Sequence, residues 1–102
     1  MSLGEAKKRW GNEAFNAKKF REGDAIARSK MVVSLIETKK FLGKTVRQVR
    51  EELGRPDGYF WSDRIPTYFI EEGWKKKTDS WQLVLLPGED GYIHEVRIHK
   101  NQ

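Results

Sequence analysis

The hydrophobic pattern of this chain changes period once, at Asp57, and that change constrains the fold more than any other feature. Before Asp57 the apolar residues recur at helical spacing; after it they alternate as in strands. Strand patterns that follow one another directly make an antiparallel sheet, and helical patterns gathered ahead of them cover one of its faces. With 102 residues the chain has material for one such domain and one core. The expectation is a single α+β domain over 1–102, with two or three N-terminal helices packed on one face of a three-stranded antiparallel β-meander. Residues 1–22 are expected to be a poorly specified N-terminal helix or tail.

Within the helical half, Glu5 to Arg21 is basic and polar. Trp10, Ala14, Ala17 and Phe20 or Arg21 fall near helical spacing, but Gly11 and Asn12 lower helix propensity. Asp24 is a good N-cap for "AIARSKMVVSLIETKK", which places Ala25, Arg28, Val32, Leu35, Ile36 and Lys39 near one face, with Met31 beside them. A shorter helix is bracketed at both ends. Thr45 and Gln48 have the spacing of a capping box, Val46, Val49 and Leu53 share a face, Gly54 suits a left-handed stop, and Pro56 turns Arg55 away from helix.

In the second half, "GYFWS", "PTYFIEE", "SWQLVLL" and "GYIHEVRIHK" are aromatic and β-branched, separated by turn-forming residues. Alternation puts Tyr68 and Ile70, Leu83 and Leu85, and Val96 and Ile98 on the core face. Thr67, Glu71, Gln82, Glu95 and Arg97 fall on the other face.

Hydrophobic residues make up only 37% of the chain, so the five Phe, three Tyr and four Trp must supply much of the buried area. A net charge of +5 fits a nucleic-acid or anionic-lipid partner, or a solvated basic surface. There is no cysteine for disulfides, thiolate metal sites or thiol nucleophiles. No apolar run reaches the roughly 18 residues that a membrane-spanning helix needs.

Gly43, Thr45, Gln48, Val49, Leu53, Gly54 and Pro56 spell G-x-T-x-x-Q-V-x-x-x-L-G-x-P, ahead of aromatic strands and a final hairpin. This pattern resembles the SmpA/OmlA, or BamE-like, family of small bacterial outer-membrane lipoproteins over roughly Arg28 to Ile98. Those domains pack helices on a three-stranded antiparallel sheet, similar to half of the β-lactamase inhibitor protein. The resemblance implies a non-enzymatic cell-envelope binding or assembly module, acting through other envelope proteins and anionic lipid on the periplasmic side. It would be lipid-anchored if a cysteine precedes the present Met1. Lys44 stands where the family often carries methionine.

Gly43-Lys44-Thr45 also resembles the end of a nucleotide-binding loop, but that motif needs glycine at Thr38 and a strand before it. Capping explains the tripeptide better. His94 and His99 are separated by an odd interval on a strand, which sends them to opposite faces and argues against a shared metal. Asp57, Asp63, Asp79 and Asp90 read as turn residues. No catalytic residue, metal ligand or cofactor follows from these patterns.

The candidate ligand-binding residues are Trp61, Trp74, Lys75, Lys76, Lys77 and Trp81: a lysine run bracketed by tryptophans, and one further ring after the short helix. Such groups could meet a protein partner, rest on anionic lipid, or hold nucleic acid by phosphate contacts and stacking. The alternatives to an envelope module are a small basic nucleic-acid-binding module, which would be cytoplasmic, and an inhibitor-like module that fills an enzyme cleft with its aromatic face. An exposed edge strand would favour a homodimer.

Overall fold

The computed structural model describes residues 1–71 and 80–100. Among them are helices α1 (Leu3–Trp10), α2 (Ala17–Glu22), α3 (Ala25–Glu37) and α4 (Val46–Leu53), and strands β1 (Thr67–Glu71), β2 (Trp81–Pro87) and β3 (Ile93–Lys100). The strands form one antiparallel sheet in the order β1-β2-β3, with the helices on one face, so the expected α+β architecture is present. Four helices stand where two or three were expected. The polar N-terminal stretch divides at Gly11, whose positive φ of 92° ends α1, and restarts when the Asn16 side chain caps α2 by accepting from Lys19 N.

Asp24 caps α3 as its sequence position predicts, accepting from Ala27 N at 2.9 Å. This helix is buried over Arg28, Ser29, Met31, Val32, Val33 and Leu35, a wider face than one stripe, because α1 and α2 both pack on it. Lys39 does not extend its apolar face: the helix ends at Glu37, and Lys39 is exposed at φ 54°. The capping box of α4 forms, with Thr45 Oγ1 accepting from Gln48 N at 3.2 Å and Gln48 Oε1 accepting from Thr45 N at 2.9 Å. Gly54 takes φ 87° with ψ −171°, so the chain leaves α4 extended rather than through a left-handed helical turn.

Phe20, Met31, Val32, Leu35, Phe41, Val49, Leu53, Tyr68, Ile70, Leu83, Leu85 and Ile93 form the core between the helices and the sheet. Tyr68, Ile70, Leu83 and Leu85 face it as alternation requires, and Val96 and Ile98 border it half-buried. Glu71 departs from its expected face. A β-bulge between Phe69 and Glu71 inserts one residue, sets Glu71 opposite Trp81, and turns its carboxylate toward α1. There it accepts from the Arg9 guanidinium and, at 3.0 Å, from Trp10 Nε1.

Candidate binding site on the far face of the sheet

The far face of the sheet is not open, as alternation alone suggested: Thr67, Gln82 and Val84 are fully buried there. What covers them is the segment after α4, in which "GYFWS" forms no strand and makes only an isolated Phe60 to Ser62 bridge. Its anchors run in order across all three strands. Asp57 Oδ1 accepts from Phe69 N at 3.0 Å and Gly58 N donates to Thr67 O at 2.9 Å, both on β1. Tyr59 N donates to Gln82 Oε1 at 3.1 Å on β2, and the Phe60 ring meets His99 of β3 edge-on, with centroids 4.9 Å apart. Glycine is required at position 58, since a Cβ there would collide with Gln82 Oε1 and lie 2.9 Å from Thr67 Cγ2.

Asp57 also reaches through to the helices. Its Oδ2 accepts from Arg28 Nη1 at 2.7 Å, and that guanidinium lies over the rings of Phe20 and Tyr68. One carboxylate therefore ties α3, the edge of β1 and the start of the covering loop together. The buried Tyr68 hydroxyl donates to Gly54 O at 2.7 Å, and burial pushes its pKa up, so it remains a neutral donor. Gln82 Nε2 has no hydrogen-bond partner among the described residues, although its Oε1 is engaged by the loop.

At the apex the loop exposes two large rings. Trp61 is 82% exposed and Tyr59 60% exposed. Trp61 also has φ 63°, a conformation that costs a bulky L-residue about 1–2 kcal/mol. The turn is held by Ser62 N donating to Phe60 O at 2.6 Å, by the Tyr59 hydroxyl donating to Trp61 O at 2.8 Å, and by Arg64 N donating to Ser62 Oγ at 3.1 Å. Strain and solvent-exposed ring area coincide at one residue, and neither contributes to folding. Such positions concentrate where a surface meets a ligand.

Beside the apex lies an open concavity of about 610 Å³, lined by Arg50, Arg55, Pro56, Gly58, Asp63 and Ile65. Arg50 donates to Asp63 O at 2.8 Å, and neither Arg50 nor Arg55 is paired with a carboxylate among the described residues. The concavity therefore presents positive charge next to exposed rings. Sequence reading missed this grouping because Arg50 lies outside the Val46, Val49 and Leu53 face of α4 and Tyr59 falls in a run with strand character. The signal available was an arginine between the helix-stopping Gly54 and Pro56, four residues ahead of two large rings.

The two described residues among those singled out from sequence, Trp61 and Trp81, are not brought together. Trp61 is on the far face, whereas Trp81 is half-buried on the helix side, edge-on to Trp10 at 6.1 Å and flanked by Arg9 and Lys100. Trp81 is thus a packing ring, held in a cage closed by Glu71. The hydrogen bond from Arg9 keeps the Glu71 carboxyl below the usual range despite some burial. Trp74, Lys75, Lys76 and Lys77 lie outside the described residues, as does Asp79.

His94 and His99 fall in separate places. His94 Nε2 bonds both Asp90 oxygens, at 3.0 and 2.9 Å, and this bond pulls the Asp90 pKa down. Among the described residues no group of three His, Cys, Asp or Glu could hold a metal, and no helix is long and apolar enough to cross a membrane. The chain matches no protein-family model, no curated protein and no solved structure.

Proposed function

We propose that this protein is a non-enzymatic binding module of the SmpA/OmlA cell-envelope type, and that Tyr59 and Trp61 form the surface that meets its protein partner. The observation that carries the binding reading is Trp61, a ring 82% exposed on a backbone of positive φ. Tryptophan and tyrosine supply large contact area with few rotors to immobilise, which suits them to anchor an interface. The envelope assignment rests on the resemblance of the α4 segment, and it includes anionic lipid as a further contact.

Trp61→Gly tests the site, because it removes the ring and relieves the backbone together. The expected result is an unchanged or slightly raised Tm, with loss of the crosslinks that a photoreactive residue at position 59, beside the removed ring, makes to an envelope protein in the native cell. Unaltered partner capture by Trp61→Gly would refute the site, and a full-length protein confined to the cytosol would refute the envelope reading.

A second reading, a basic nucleic-acid module, is favoured by the unpaired charge of Arg50 and Arg55 beside the same rings. It expects a salt-dependent gel shift of single-stranded nucleic acid. The shift should weaken in Arg50→Ala/Arg55→Ala and in the alanine variants of Lys75, Lys76 and Lys77. No shift at low salt ends that reading.

A further inference from the structure

The two edges of the sheet are treated differently. On β1, Asp57 and Gly58 occupy Phe69 N and Thr67 O. On β3, Gly43 and Lys44 bond the backbone of Ile93 alone, with Ile93 N to Lys44 O and Gly43 N to Ile93 O each 2.8 Å. Among the described residues, nothing bonds the outer backbone edge of β3 from His94 to Lys100. The inner face of this strand is also thinly covered, because α3 packs over β1. Val96 and Ile98 are left half-buried, next to a concavity of about 220 Å³ that Ile36 and Leu42 help to line, and Leu42 is 41% exposed. A free edge with an apolar border is a template for another strand.

We infer that the occupant is a second copy of this chain, paired antiparallel along β3 about a two-fold axis at Val96. Charge selects this register. A two-fold axis perpendicular to the sheet must pass through a residue, so that opposed side chains share a face. Centred on Arg97, the pairing would set two guanidinia against each other, which is destabilising. Centred on Val96, it sets Glu95 against the partner's Arg97 and Arg97 against the partner's Glu95, both on the far face. On the inner face it brings Val96 to the partner's Val96 and carries the partner's Ile98 past the bulge at His94, toward the groove of Ile36 and Leu42. The Gly43–Lys44 backbone at Ile93 limits the pairing to residues 94–98. The outcome is a continuous six-stranded sheet with both Trp61 loops on the same side, a bivalent surface where the monomer has one.

The test is sedimentation equilibrium of the complete chain, with circular dichroism to verify the fold. The wild type should dimerise reversibly. Glu95→Arg and Arg97→Glu, each alone, should raise the dimer Kd roughly tenfold, since both symmetric pairs become like-charged. An equimolar mixture of the two variants should recover association as a heterodimer, because every Arg then faces a Glu. This recovery cannot come from a folding defect or from the Glu95–Arg97 pair within one chain, which both variants lose. A wild type that remains monomeric at millimolar concentration overturns the inference, including the case in which its edge binds an added foreign strand. Folded single variants that dimerise like the wild type, or a mixture that fails to recover, overturn it equally.

Discussion

Asp57 fastens three parts of the described chain to one another. Its two oxygens serve different layers: Oδ2 accepts from the nearly buried Arg28, and Oδ1 from the edge amide of Phe69. Removing it leaves a guanidinium deep against Phe20 and Tyr68 without its counter-charge, and an edge amide without its acceptor. Asp57→Ala should therefore cost roughly 2–3 kcal/mol in denaturant unfolding, the partial exposure of the carboxylate keeping it below a fully buried pair. Asp57→Asn retains an acceptor for Phe69 and should cost roughly half as much. The contrast with Trp61 is instructive. That ring is mostly exposed, so its loss should leave Tm unchanged or slightly raised.

At the scale of elements, α4 and the loop after it obey different forces. The helix is specified locally, by a capping box at one end and a glycine at the other. Thr45→Ala should lower stability by about 1 kcal/mol, read as a shift in the denaturant midpoint with unchanged slope. The loop is specified by the surface it crosses. Gly58→Ala would force a methyl group into Thr67 and Gln82, lifting the segment that carries Tyr59 and Phe60. Its expected cost is roughly 2 kcal/mol in the same measurement. An increase in the Phe60 region's amide exchange should accompany it, while the amides of α1 keep their protection.

For the whole molecule, two carboxylates are held in ion pairs, and one of them joins distant parts of the chain. Glu71 docks α1 on the sheet through Arg9 and Trp10. Glu52 lies in partial burial that raises its pKa, but Lys44 at 2.8 Å, aided by Lys40, outweighs this and holds the net value low. Both folded pKa values lie below the unfolded one. The stability they provide is therefore complete above the ordinary glutamate range, about pH 4.3, and is lost as pH falls through the folded values. Thermal melts should show Tm falling below about pH 4. In Arg9→Met the fall should be shallower, because the lowered Glu71 pKa depends first on that guanidinium.

Much of this fold could be read without coordinates because it is encoded in neighbours. The Asp24 and Thr45 caps, the Gly54 stop and the alternation of Tyr68 with Ile70 and Leu83 with Leu85 each depend on residues a turn or a strand apart. The candidate site was only half legible: Trp61 stood out as a large ring in a turn-rich segment, but its exposure did not, and Trp81 looked equivalent until Trp10 and Glu71 were found around it. Periodicity assigns a residue to a face and cannot say what comes to cover that face. The bulge that turns Glu71 inward, the loop that crosses three strands, and the arginines gathered beside it arise from contacts between residues far apart in sequence. Local chemistry set the elements in this chain; the closure of the tertiary structure decided which of the described rings are buried and which stay exposed.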